Sequence, residues 1–390
     1  MARRPLTRRD GQAGGRRRVA LLASGEGRNL TLEGLRGFSA AAVISYHVHN
    51  MAIKGGYFHP HHGPIVSSLV RSLGRFGVLM FFMISGYLIV QSLIKYDSIP
   101  RFLKHRVWRI YPVFTPLHLI MFTLGPWQGY EWMGALKHSL PQYTLQFFSN
   151  LFLLPGIFQL PIAQRNAWSL SYEFAFYVIS CLFFFAATRR AHCGWRLLSL
   201  VTGLAASVGV LRYHPIAVYF LIGVALFLSD DAVARHRAAR CVPAFAGLLF
   251  LALAFFTYAQ GWLLASLILS LPFFFTVVHQ TGWLARFLQT RPLLGLGKIS
   301  YSLYLIHPFV LDAARAVVRH LAPRLPSDAL ALALFAILGV GGAIVAATIL
   351  YRSVEVDFTS RLLRRERPAP NGPRSRVGAP GAGMEGYQWR

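Results

Sequence analysis

The chain has 390 residues, of which 55% are hydrophobic and 14% charged, with a mean hydropathy of +0.45. That much apolar side chain exceeds what one soluble core can hide, which excludes an ordinary water-soluble globular protein. The net charge of +26 does not indicate a nucleic-acid partner, because Lys and Arg fall between long apolar runs rather than along one wettable face.

In chain order, Arg3, Arg4, Arg8, Arg9, Arg16, Arg17 and Arg18 come before any long apolar segment. The run Val19 to Ser24 is too short for a signal-peptide core, so residues 1–31 read as an uncleaved cytoplasmic arm. A helix needs roughly 20 apolar residues to cross a bilayer, fewer inside a bundle. Candidate spans fall at 34–52, 76–94, 111–125, 167–187, 195–211, 214–228, 242–258, 261–279, 299–318 and 329–351. Lys and Arg concentrate in the alternate loops 95–109, 189–196, 235–240 and 286–298 and in the tail, the bias expected of cytoplasmic loops. The pattern predicts an all-α integral membrane protein of about ten transmembrane helices over 32–363, with both termini cytoplasmic. Residues 364–390, rich in Pro, Gly and Arg, read as a disordered tail. Within the longest external connection, 126–166, an apolar piece at 145–158 is interrupted by Pro155 and Gly156, which predicts a re-entrant or interfacial element.

Several residues in these spans are chemically expensive to bury. Arg36 and His47 are eleven residues apart in the first span; eleven residues turn a helix by about 1100°, within about 20° of three full turns, and rise about 16 Å. They therefore share one face, Arg36 near the cytoplasmic surface and His47 near mid-membrane. His47 reads either as a histidine bonded to a neighbouring helix or as a general base that takes a hydroxyl proton. Ser85 and Gly86 interrupt a bulky apolar helix, where small residues allow close helix approach. Arg106 and Arg109, placed in a cytoplasmic loop, read as topological anchors or as a phosphate clamp. Glu173 is expected at a depth close to His47, where it would orient or charge-stabilise the imidazole or pair with an arginine. Tyr301, Tyr304 and His307 recur at helical spacing and could line the same cavity. His59, His61 and His62 only loosely resemble a metal motif, and no metal site is expected; Cys181, Cys193 and Cys241 show no paired spacing.

Taken in order, these segments resemble the acyltransferase 3 family of membrane proteins over most of the chain. The residues that carry the resemblance are Arg36 with His47, the GV…FF…SGYLI segment at 77–89, Arg106 with Arg109, Trp168 to Glu173 followed by Phe176 and Tyr177, and LGKISYSLYLIH ending at His307. The resemblance implies a ten-helix core and a catalytic His47. It also implies that Arg36, Arg106 and Arg109 serve an acyl-CoA donor and that the acceptor is a sugar or other hydroxyl compound. Trp168 and Ser171, with Tyr301, Tyr304 and His307, are expected to contact substrate. Two positions depart from the pattern: Leu79 stands where many members carry Asp, and Glu355, Val356 and Asp357 stand where a Glu-x-Pro is common.

The function expected is O-acylation, foremost O-acetylation, of a lipopolysaccharide or exopolysaccharide sugar at the cytoplasmic (inner) membrane. Acetyl-CoA or another acyl-CoA would be the donor, with no permanently bound cofactor and no nucleic-acid partner. The alternatives are acylation of a glycosylated small molecule such as an antibiotic, a transporter or flippase, and a scaffold without catalytic activity. No further domain is expected after the last span, so the protein would act alone or pass its product on.

Overall fold

A computed structural model describes residues 29–57, 63–128, 139–188, 191–233 and 242–358. The basic arm up to residue 28, the His59, His61 and His62 group, Cys241 and the tail from residue 359 lie outside them. The described residues are helical, without a strand. The helices are α1 (Leu30–Lys54), α2 (Pro64–Tyr96), α3 (Ile99–Gln128), α4 (Leu140–Leu151), α5 (Ala167–Ala187), α6 (Cys193–Tyr213), α7 (Tyr219–Val233), α8 (Ala246–Ala259), α9 (Leu263–Val278), α10 (Gly282–Leu288) and α11 (Arg291–Leu321). A last, continuous helix follows as α12 (Asp328–Ala336) and α13 (Gly342–Leu350), joined by a π-helical turn at Ile337–Gly341 and extended by another at Tyr351–Phe358.

Each candidate span falls on a helix, but length and composition alone identify fewer than ten of the described helices as able to cross a membrane. Five are long and apolar enough to cross a membrane: Pro64–Tyr96, Ile99–Gly125, Ala167–Ala187, Cys193–Tyr213 and Asp328–Asp357. They become six if α9 and α10, bent by 66° at their break, count as one. The shortfall has two physical sources. Helix α8 and the apolar part of α7 are short, and α1 and α11 are diluted by ionisable and polar residues such as Glu33, Arg36, His47, Lys298 and His307. Those two helices pack against each other more extensively than any other pair, so the least apolar spans lie at the centre of the bundle.

Local chemistry explains how α1 is placed. Asn29 caps it, its Oδ1 accepting from the Leu32 N–H at 3.1 Å while its Nδ2 donates to the Val278 carbonyl at 2.8 Å, which ties the start of α1 to the end of α9. Gly37 and Gly297 then let α1 and α11 cross backbone to backbone. A Cβ at Gly37 would sit 2.0 Å from the Leu293 carbonyl oxygen, and one at Gly297 would sit 2.1 Å from that of Glu33. Gly86 and Gly223 do the same for α2 and α7.

The outside of the bundle is apolar. On α6, Trp195, Leu197, Leu198, Val201, Leu204 and Val208 are all exposed. Helix α4 is inverted relative to a soluble helix: it buries Gln146, Ser149 and Asn150 and exposes Leu140, Leu145 and Phe148. That arrangement suits a helix turned toward lipid, within the stretch expected to be re-entrant or interfacial. Its Asn150 pins the following loop, donating to the Pro161 carbonyl at 3.0 Å and accepting from the Ala163 N–H at 2.9 Å.

Candidate active site

The segment RFLKHRVWR at 101–109 is part of α3 rather than a cytoplasmic loop, and this carries its arginines into the bundle. There they meet a cavity between α1, α2, α3, α5 and α11. Arg36, Arg106 and Arg109 line it together with Glu173 and Ser85. Tyr301, Tyr304 and Ser169 line the α11 and α5 side, and Phe81, Phe82, Leu88 and Ile110 contribute apolar wall.

The three arginines are not equivalent. Arg106 is buried; its Nη2 donates to the Leu88 carbonyl at 3.3 Å and to Ser92 Oγ, and its guanidinium lies over the rings of Phe102 and Tyr177 at 5.1 and 5.5 Å. Such a side chain is wall as much as clamp. Arg109 is exposed at the mouth, and Arg36 lies within electrostatic reach of Arg109, Glu173, Glu33 and Glu355. Glu355, left behind where the family's proline is missing, accepts from Ser302 Oγ at 2.5 Å and brings the last helix to this cluster.

Of the two placements expected for Glu173, the structure has the one near arginine. Its Oε1 accepts from Tyr177 Oη at 2.5 Å and from Ser85 Oγ at 3.3 Å, which fixes the carboxylate on the cavity wall among the arginines. The ring beside His47 is instead that of His307, with centroids 5.0 Å apart. The physical reason is register: α11 runs alongside α1, so its third site residue arrives level with His47.

His307 itself is committed. Pro308 has no N–H, so the Tyr304 carbonyl loses its helical partner; Asn166 Nδ2 supplies one at 2.8 Å. The other hydrogen of the same amide reaches His307 Nε2 at 3.2 Å, while His307 Nδ1 donates to the Leu303 carbonyl at 2.9 Å. A carbonyl can only accept, so Nδ1 carries the proton, and the lone pair of Nε2 is taken by Asn166. A ring with both nitrogens engaged is a poor base, and a proton taken there would cost the Asn166 bond. His307 stands off this cavity, behind Tyr304.

Two other residues expected to contact substrate lie off this cavity. Trp168 packs its ring against Phe82 and Tyr172, and Ser171 Oγ accepts from the Gly156 N–H at 3.2 Å, holding the 152–166 loop. Neither lines the cavity; Ser169 does, bonded to Tyr304 Oη at 2.6 Å. Helical spacing carries the signal: Ser169 is four residues from Glu173 and shares its face, whereas Ser171, two residues away, points to the other side. Tyr301 and Tyr304 stay in the cavity as expected, Tyr301 Oη donating to the Ile110 carbonyl at 2.6 Å.

Comparison with known proteins identifies the family. A model of the acyltransferase domain matches residues 29–352. The peptidoglycan O-acetyltransferase OatA of Listeria monocytogenes is 26% identical over 372 residues, covering 84% of this chain and 55% of that protein. A protein of Staphylococcus aureus (strain COL), provisionally named an O-acetyltransferase, is 27% identical over 325 residues, covering 72% of this chain and 50% of its own. The acyltransferase MdmB of Streptomyces mycarofaciens is 31% identical over 159 residues, 38% of this chain and 37% of that one. The chain thus spans about half or less of the length of these relatives, and no solved structure matches it. With a family match over most of its length, the chain belongs to the acyltransferase 3 family.

Proposed function

We propose that this protein is an O-acyltransferase of the cytoplasmic membrane that moves an acyl group, an acetyl group foremost, from acyl-CoA to a hydroxyl of a carbohydrate. The observation that carries this reading is one cavity with Arg36 and Arg109 on its wall and Tyr304 among the same lining residues, one helical turn before the His47–His307 contact. The positive-inside bias turns the Arg36 end toward the cytoplasm, where the anionic donor is found, and the His47 end away from it. The glycan acceptor named for the Listeria relative supports a sugar hydroxyl as acceptor.

In the proposed reaction, Arg36 and Arg109 bind the donor phosphates, and Glu173 and Glu355 keep the arginine cluster from self-repulsion when the cavity is empty. The acceptor hydroxyl gives its proton to His47 as its oxygen bonds to the thioester carbonyl carbon. The carbon–sulfur bond then breaks, and the thiolate leaves with the proton returned from the imidazolium. His307 keeps the His47 ring in place and stays neutral.

The experiment is CoA thiol release by the purified protein in lipid, supplied with acetyl-CoA and a glycan extract. Arg36→Gln and Arg109→Gln are each expected to raise the donor KM about ten- to hundredfold, the loss of a charge-assisted bond of about 1.5–3 kcal/mol. Arg106→Gln is expected to lower thermal stability along with activity. Uptake of a glycan without thiol release would instead identify a transporter.

A further inference from the structure

The donor cavity does not reach His47. The residues that line it stop at Phe81 on α2 and Tyr304 on α11, whose rings meet edge to face with centroids 6.0 Å apart. Behind Tyr304 stands His307, its ring centroid 6.2 Å away, and behind that His47. An acyl group carried by a donor in the cavity must therefore pass this aromatic pair before it meets a hydroxyl activated at His47.

The two rings differ in freedom. Tyr304 is locked: its hydroxyl bonds Ser169 Oγ at 2.6 Å and donates to the Asn166 carbonyl at 3.1 Å, and its own carbonyl holds Asn166. Phe81 has no polar anchor and is partly exposed, so it is the half that can turn. Its surroundings leave little room to turn into, because it packs on the close-set cluster of Ala40, Ile44, Ile299, Leu303, Ala343 and Ala347. Each further methylene pushed past it has to displace packed side chains, which costs about 1–3 kcal/mol.

We propose that Phe81, working against the fixed ring of Tyr304, is the acyl-length filter of this enzyme, passing an acetyl-sized group toward His47 and refusing longer chains. The inference rests on reading the cavity as the acyl-CoA site. Phe81 acts on specificity rather than on the reacting atoms.

The test uses the full chain in lipid with acetyl-, butyryl- and hexanoyl-CoA, reading thiol release with chito-oligosaccharides as acceptor. The wild type is expected to favour acetyl-CoA, and Phe81→Ala and Phe81→Leu to raise the ratio of hexanoyl to acetyl kcat/KM by about tenfold or more, in the order Ala above Leu. A melting temperature and size-exclusion profile close to those of the wild type check that both variants are folded. Variants that bind CoA and turn over acetyl-CoA with an unchanged length profile would overturn the filter, since longer chains would then lie elsewhere in the cavity. A wild type that accepts hexanoyl-CoA as well as acetyl-CoA would overturn it too. No thiol release from any donor would remove the acyl-CoA reading itself, and the filter with it.

Discussion

Replacing His47 by alanine is expected to lower acyl transfer by about 10²–10⁴-fold, the usual contribution of a positioned general base. CoA affinity is expected to stay within about twofold of wild type, because His47 lies outside the cavity that holds the arginines. His307 should behave differently although it touches the same ring. Its nitrogens are held by the Leu303 carbonyl and by Asn166, so it can position but not accept a proton. Asn166→Ala tests that division. It strands the Tyr304 carbonyl and His307 Nε2, each of which costs about 1–3 kcal/mol when buried without a partner. The expected outcome is a lower melting temperature and a kcat reduced by roughly tenfold, with the donor KM unchanged. A His307→Gln variant as inactive as His47→Ala, at equal stability, would mean that the two imidazoles share the proton.

The second large effect concerns assembly rather than chemistry. At the crossing of α2 and α7, a Cβ on Gly86 would lie 2.1 Å from the Phe220 carbonyl oxygen, and one on Gly223 would lie 2.1 Å from that of Met83. Both clashes are with backbone, which cannot swing aside as a side chain can. Gly86→Val must push two helices apart, and α2 carries Phe81, Ser85 and Leu88 of the cavity wall. The expected result is a loss of more than about 3 kcal/mol and little folded protein recovered from detergent, beyond ordinary overpacking of a core. Gly209→Val on α6, where an added Cβ meets nothing within 4 Å, should leave yield and melting temperature unchanged. Equal behaviour of the two valine variants in size-exclusion and thermal-shift measurements would contradict the backbone crossing.

Much of this arrangement is legible in the sequence because membrane cost makes it so. Arg36, His47, Glu173 and His307 stand out in spans where an ionisable side chain has no cheap place to go, and helical spacing puts Arg36 and His47 on one face. The span count is less legible because hydropathy is lowest where function is densest, and α1 and α11 look least like spans while forming the centre of the bundle. The basic segment at 101–109 reads as a loop for a related reason: its charge masks a helix that carries Arg106 and Arg109 inward.

Depth alone could not tell which partner His47 meets. Glu173 and His307 both come near its level, and only the register of α5 and α11 separates them. The need for an outside donor is legible, for Pro308 within a span leaves the Tyr304 carbonyl without its helical partner. Nothing in the sequence places that donor on Asn166, because the two residues lie 138 positions apart. Phe81 is one aromatic residue in an apolar helix, and its place opposite Tyr304 follows from tertiary packing alone.

The central claim is that thioester chemistry occurs at His47, fed from the arginine-lined cavity. Its most direct test supplies acetyl-CoA labelled in the acetyl group to the wild type and His47→Ala in lipid with a glycan extract, and measures free thiol and alkali-labile label on the glycan together. The account predicts thiol and ester in equal amounts from the wild type, and neither above background from a His47→Ala protein that still binds CoA. A folded wild type that releases no thiol, or a His47→Ala protein that releases it undiminished, would contradict the account.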